Sequence, residues 1–141
     1  MNFTRLNKDW NAEPNAPDVR LSVDGTNVRL EFYLNSFMYN NVKQGDKATL
    51  TFYNCHKYSL NSMNDEGYYM GQYRYKDSEL PWGEFYQLDT DWRGDFPQEQ
   101  VILNPHTTGK RHYIFFLKDN TFECAADNFS FERLTVSASK Q

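Results

Sequence analysis

The sequence has few of the residues that mark metal centres and disulfide-bonded domains. Its two cysteines, Cys55 and Cys124, lie far apart and outside any Cys-x-x-Cys spacing. Its three histidines share no spacing typical of metal ligands, so neither a bound metal nor any other cofactor is expected. We expect both cysteines to be buried free thiols, with Cys124 in an apolar strand.

Long apolar runs and a positive net charge are also missing. No apolar stretch approaches the ~18 residues of a membrane-spanning helix, and residues 1–9 do not show the basic segment followed by an apolar segment that is typical of a secretory leader. The formal net charge of −4 disfavours nucleic acid and anionic lipid as partners. We therefore expect a cytoplasmic protein that binds another protein, basic in charge, or a neutral small ligand. The sequence does not predict an oligomeric state.

Aromatic residues are abundant where helix-forming residues are sparse. They make up 17% of the 141 residues, a bias that favours strands because rings pack well on a pleated surface. We expect one all-β domain over residues 1–141, an antiparallel β-sandwich or flattened barrel of eight or nine short strands with little or no helix. Residues 1–18 are predicted to be an irregular arm whose Trp10 docks on the core, and residues 137–141 a frayed tail.

Alternating apolar and polar residues predict the first strands. Residues 19–23 and 28–34 alternate on either side of Gly25, which indicates a hairpin with one buried face. Residues 48–53 alternate in the same way and predict a third strand. Between them, residues 35–45 are rich in asparagine and are predicted to be a loop or a short distorted strand.

A second hairpin is predicted near the end of the chain. A two-residue turn at Asp119 and Asn120 would place His112 opposite Asp127, with Glu123 on the same polar face. Such a carboxylate would orient the imidazole, either for acid/base work or as an ordinary cross-strand pair. The opposite, apolar face is expected to point into the core: Tyr113, Phe115, Leu117, Phe122 and Cys124.

The stretch 64–88 carries the most distinctive pattern, with two aromatic strands predicted at 68–75 and 82–88. Its rings offer stacking surfaces and its polar groups offer directional hydrogen bonds, a combination that binds sugars and flat ligands. The competing interpretation is that the rings fill a core and that Arg74 and Glu84 reach its edge. The candidate ligand-binding residues are Asp65, Glu66, Tyr73, Arg74, Trp82, Glu84 and Tyr86.

The sequence supports catalysis less well than ligand binding. Glu84, Glu123 and either Asp65 or Glu66 could supply a pair of carboxylates if their strands are adjacent. Glu84 or Glu123 could instead work with His112. Structural ion pairs produce the same sequence pattern. No serine or cysteine is placed to complete a nucleophilic triad, so an enzyme is not favoured.

Three functional hypotheses follow, in order of preference. The first is a non-enzymatic intracellular module that binds another protein, of the general type of small acidic immunity domains that neutralise a basic toxin. Its support is the acidic charge and the supply of tyrosine and tryptophan, which are common at interface hot spots. The alternative is a domain that binds a sugar or another small ligand in an aromatic pocket. The second alternative is an acid/base enzyme that uses paired carboxylates.

Overall fold

A computed structural model describes residues 2–61, 83–89, 99–102 and 109–134. These residues form strands and no helix, which confirms the all-β prediction. None of them therefore belongs to a helix that is long and apolar enough to cross a membrane. The strands are β1 (Asn2–Arg5), β2 (Arg20–Asp24), β3 (Asn27–Tyr33), β4 (Lys47–Tyr53), β5 (Lys57–Asn61), β6 (Phe85–Asp89), β7 (Gln100–Val101), β8 (Arg111–Phe116), β9 (Thr121–Ala126) and β10 (Asn128–Leu134).

The strands form two antiparallel sheets. One has six strands in the order β1-β6-β8-β9-β5-β7, and the other has four in the order β10-β4-β3-β2. The predicted first hairpin is confirmed as β2 and β3, where Asp24 pairs with Asn27 and Gly25 takes a φ of 62° in the tight turn. The loop predicted at residues 35–45 is also confirmed, since it joins β3 to β4 without a strand of its own.

An aromatic core fills the space between the sheets. Phe32 of β3 meets Phe115 of β8 at a ring-centroid distance of 5.1 Å, and Phe52 of β4 meets Phe122 of β9 at 5.1 Å. These rings are buried, as are the apolar residues that alternate with polar ones along β3 and β4. The sandwich prediction therefore holds, because the alternation that predicted one buried face per strand describes the observed core.

The chain crosses from the four-stranded to the six-stranded sheet after β4. After β4 the chain turns at Asn54, whose φ is 52°, and enters β5 in the other sheet. Cys55 lies at this crossing, and both it and Cys124 are buried and free, as predicted. Burial raises the pKa of the Cys124 thiol well above its ordinary value, and a hydrogen bond with Cys55 raises it further.

The N-terminal arm is more regular than its sequence suggested. Asn2–Arg5 pair with β6, so the prediction of an irregular segment is wrong for these four residues. Four residues are too few for an alternation to be recognised. The docking of Trp10 is confirmed, because its ring stacks on Phe131 at 4.4 Å and is only 8% exposed.

The second hairpin has the predicted faces but a different register. Phe116 pairs with Thr121, so the connection holds four residues instead of two, and His112 lies opposite Ala125, not Asp127. The extra residues are held by a hydrogen bond from Leu117 N to Asn120 O, 2.9 Å. A shift of two residues keeps every side chain on its face, which is why the predicted core set is nevertheless correct.

Several predictions fall elsewhere on the chain. The strand at 68–75 and the tail at 137–141 lie outside the described residues. The predicted strand 82–88 corresponds in part to β6, which runs from Phe85 to Asp89.

Candidate functional site

Glu84 lies just before β6 and its carboxylate is surrounded by donors. Asn7 Nδ2 donates to Oε2, and Asn11 Nδ2 donates to Oε1 at 3.0 Å. Arg5 Nε lies 3.5 Å from Oε2, and the Arg5 side chain is about half exposed. The Glu84 side chain itself is 15% exposed, so this carboxylate is held in place while still reaching the surface.

The two asparagines are positioned by the arm that docks Trp10. Asn7 donates to Trp10 O at 2.7 Å, and its Oδ1 accepts from Phe85 N at 3.1 Å. Asn11 immediately precedes Ala12, which forms an isolated β-bridge with Leu34, the residue that follows β3. Docking of one aromatic ring therefore brings both amides to the start of β6.

Tyr39 belongs to the electrostatic surroundings of Glu84. Burial raises the pKa of the Tyr39 phenol, and the negative charge of Glu84 raises it further. The phenol is consequently a neutral hydroxyl at physiological pH, able to donate a hydrogen bond.

A cavity of about 250 Å³ opens beside Glu84. Asn11 and Asn35 line it together with Glu84, and Lys118 lies at its exposed rim. Glu13 also lines the cavity, and the remaining walls are apolar: Ala12, Pro14, Gly83, Phe116 and Leu117.

A second hollow of about 390 Å³ adjoins the first and shares Glu13 with it. Phe37 lines this hollow and is 76% exposed, while the neighbouring Met38 is 65% exposed. Met38 Sδ lies 3.9 Å from Nδ2 of Asn11, which lines the first hollow. We call the surface formed by residues 11–16, 35–45 and 83–84 the loop face.

His112 and Glu123 form a different kind of site. His112 Nε2 and Glu123 Oε2 are 2.8 Å apart, and their side chains are 1% and 0% exposed. The predicted pairing of His112 with Asp127 is therefore wrong, because the longer hairpin connection places Glu123 diagonally across from His112. Asp127 instead accepts from Lys110 Nζ at 2.8 Å.

The predicted acid/base groups do not converge. His112 pairs with Leu88, four residues along β6 from Glu84, a separation of about 13 Å at about 3.3 Å per residue. Glu123 lies two strands away from Glu84, about 10 Å across the sheet, and is displaced by two further residues along it. The Glu123 side chain is also closed to solvent and paired with His112, so Glu84 and Glu123 do not form the accessible pair of carboxylates that glycoside hydrolysis requires.

The predicted ligand-binding set is only partly visible. Asp65, Glu66, Tyr73, Arg74 and Trp82 lie outside the described residues, so the aromatic pocket stays a prediction. Tyr86 is 1% exposed and packs edge-on against Phe3 at 5.4 Å, which is a packing role. Within the described ranges, no three histidine, cysteine, aspartate or glutamate side chains group as metal ligands.

Sequence reasoning missed Asn7, which holds Glu84, and three residues of the loop face: Asn11, Phe37 and Met38. The asparagines are 77 and 73 residues from Glu84, and no local pattern signals such a contact. A signal did exist for Phe37 and Met38, since two large apolar residues in an asparagine-rich loop have no strand face to bury them.

Comparison of this chain with protein-family models, with curated proteins and with solved structures finds no match. Inferences about function therefore rest on the geometry of the two carboxylate sites and the loop face.

Proposed function

We propose that this chain is a non-enzymatic interaction module that binds another protein through the loop face. The observation that carries the proposal is the exposure of Phe37 and Met38, the two most exposed large hydrophobic residues among those that the structure describes. Exposed apolar side chains that lie side by side next to hollows are typical of protein-binding surfaces. A cytoplasmic location is part of the proposal.

The loop that carries these residues is tied down at several points. Asn35 Oδ1 accepts from Phe37 N at 3.0 Å and from Met38 N at 3.3 Å. At the other end of the loop, Asp46 is 1% exposed and its Oδ2 lies 3.1 Å from Arg133. A surface that is ordered before binding loses less conformational entropy in the complex, which favours affinity.

The shape of the loop face favours a protein over a small ligand. A small molecule is usually mostly enclosed by the pocket that binds it. Phe37 and Met38 are 76% and 65% exposed, so they suit contact with the broad surface of a protein better than enclosure of a small ligand. Aromatic residues and methionine are enriched in interface cores, where they fill hollows of the partner. The two hollows of the loop face are suited to receive side chains of the partner in return.

The described geometry offers little to an enzyme. Glu84 and His112 are about 13 Å apart by their strand positions, and the His112–Glu123 pair is closed to solvent. A general base must come within about 3 Å of the proton that it removes. The interaction module needs no such convergence.

The proposal is tested by comparing how well the wild type and two matched double variants capture a partner protein. The double variant Phe37→Ser, Met38→Ser removes the apolar projections, and its match is Val23→Ser, Leu134→Ser, which removes two other exposed apolar side chains from β2 and β10. Affinity capture with cross-linking would identify the partner, and light scattering on the purified complex would give its stoichiometry.

We expect a stoichiometric complex with the wild type and with the β2/β10 variant. Loss of Phe37 and Met38 should weaken it by about 2 kcal/mol or more, a hot-spot effect. Equal binding by both double variants, or no stoichiometric complex with the wild type, would overturn the proposal.

A further inference from the structure

We propose that the cavity beside Glu84 receives the basic side chain of an arginine or lysine from the bound protein. This inference rests on the proposed function and assigns the chemistry of its partner. The cavity is lined by the Glu84 carboxylate and by several apolar side chains, and these are the two features that a basic side chain requires.

The Glu84 carboxylate has unused capacity on the cavity side. Its Oε2 is shared by Asn7 and Arg5, whereas among the described residues its Oε1 accepts only from Asn11. A carboxylate oxygen can accept more than one hydrogen bond. Oε1 therefore remains open to a further donor.

Asn11 holds the Glu84 carboxylate from the wall of the cavity. Asn11 lines the cavity and is 8% exposed, yet its Oδ1 is buried and receives no hydrogen bond in the part of the chain that the structure describes. The amide cannot simply be flipped, because Nδ2 must face Glu84, which only accepts. Because this oxygen has almost no accessible surface, a bound side chain would reach Glu84 and not Asn11 Oδ1, and Asn11 acts by holding the carboxylate in place.

The size of the cavity suits one side chain. A volume of about 250 Å³ falls below the 300 to 1,000 Å³ that is typical of pockets for drug-sized ligands and cofactors. Ala12, Pro14, Phe116 and Leu117 line its sides, so methylene groups would be buried while the charged end reaches Glu84.

Two cations lie close enough to affect this site. Arg5 sits on the Oε2 side of Glu84, and Lys118 lies at the rim. Glu13 also lines the cavity and uses only its Oε2, which accepts from the amides of Asn15 and Ala16. The two carboxylates nearly balance the two cations, so net charge alone attracts a further cation only weakly. A guanidinium should therefore bind better than an ammonium, because it is less strongly hydrated and donates hydrogen bonds from several directions.

The experiment uses small probes in place of the partner. The intact chain is titrated with n-butylguanidinium, n-butylammonium and uncharged n-butylurea, and chemical shifts are followed by NMR at Gly83 and at the Asn11 side-chain amide. We expect saturable shifts with the two cations, stronger with guanidinium, and no saturable shift with the urea.

Two charge variants with matched controls sharpen the test. Glu84→Gln should weaken n-butylguanidinium binding about tenfold or more, since hydrogen bonds to charged groups are the stronger kind. Lys118→Gln should tighten it about two- to threefold by removing a cation from the rim. Glu132→Gln and Arg29→Gln make the same charge changes at exposed positions on the four-stranded sheet and should have no effect.

The outcomes separate this inference from the proposed function. No saturable shift with either cation, equal shifts with the urea, or unchanged binding in both Glu84→Gln and Lys118→Gln would overturn the basic-side-chain assignment. A complex that still depends on Phe37 and Met38 would then leave the interaction proposal standing. If Glu84→Gln does not fold, the Lys118→Gln titration decides alone, because Lys118 is exposed.

Discussion

Glu84 and Glu123 are both associated with the six-stranded sheet, and their surroundings differ in the property that matters for function. Glu123 is fully buried and paired with a buried histidine. Glu84 is 15% exposed, accepts hydrogen bonds from two asparagine side chains and lies beside a cavity, with Arg5 3.5 Å away. A carboxylate with nowhere for a ligand to enter can stabilise a fold but cannot recognise a partner. The polar surroundings of Glu84 combine fixed geometry with access.

The comparison also shows why ionisable groups in a sheet are a poor guide to function by themselves. From the sequence, Glu84, Glu123 and His112 were equally reasonable candidates. What separates them is the space next to each carboxylate, which depends on contacts between distant parts of the chain.

The largest expected effect breaks the buried pair. Glu123→Ala leaves His112 without its carboxylate in a buried site and should destabilise the fold by about 3–5 kcal/mol, the range for loss of one partner from a buried pair. Urea unfolding followed by fluorescence measures the loss. Glu132→Ala, at an exposed position on β10, is the control and should stay within about 0.5 kcal/mol of the wild type. An equally small effect for Glu123→Ala would remove the structural role given to this pair.

A smaller effect is expected where the arm holds Glu84. Asn7→Ala removes three side-chain hydrogen bonds and leaves Phe85 N–H without its acceptor, so we expect a loss of about 2 kcal/mol in the same unfolding assay. Asn2→Ala, exposed on β1, should cost little. If the two substitutions cost the same, the anchoring of the Glu84 site by Asn7 is contradicted.

The smallest effect concerns Tyr39. Since burial and then Glu84 raise its pKa, Glu84→Gln should lower that pKa toward about 10, the ordinary value for a tyrosine. Carbon NMR of the Tyr39 ring as a function of pH measures it, with Glu132→Gln as the control.

The raised pKa of Tyr39 also makes the stability of the fold depend on pH. A raised pKa in the folded state favours the neutral phenol, so the contribution of Tyr39 to stability is fully present below about pH 10 and is lost as the pH rises through the folded pKa. An unchanged Tyr39 titration curve in Glu84→Gln would place the carboxylate too far away to act on it.

Much of the fold was predictable because it depends on local alternation. The faces of β3, β4, β8 and β9 follow from period-two patterns, and the core is where those patterns place it. Even the wrong turn length left the faces correct, because the register moved by two residues.

The Glu84 site was not predictable in the same way. Glu84 itself stood out as a charge among aromatics, but its partners Asn7 and Asn11 come from the arm, whose position depends on Trp10 stacking on Phe131. Contacts of this kind are set by the packing of the whole sandwich, and no periodicity records them. The pairing of β1 with β6 was missed for the same reason.

The most direct test of the account is the dissociation constant of the isolated protein complex, measured by calorimetry for the wild type and for Glu84→Gln. Truncating one member of a buried charge pair at an interface costs about 2 kcal/mol or more, which corresponds to a dissociation constant about 30-fold higher. The account predicts that rise for Glu84→Gln and none for Glu132→Gln. The same dissociation constant for Glu84→Gln and the wild type would contradict it.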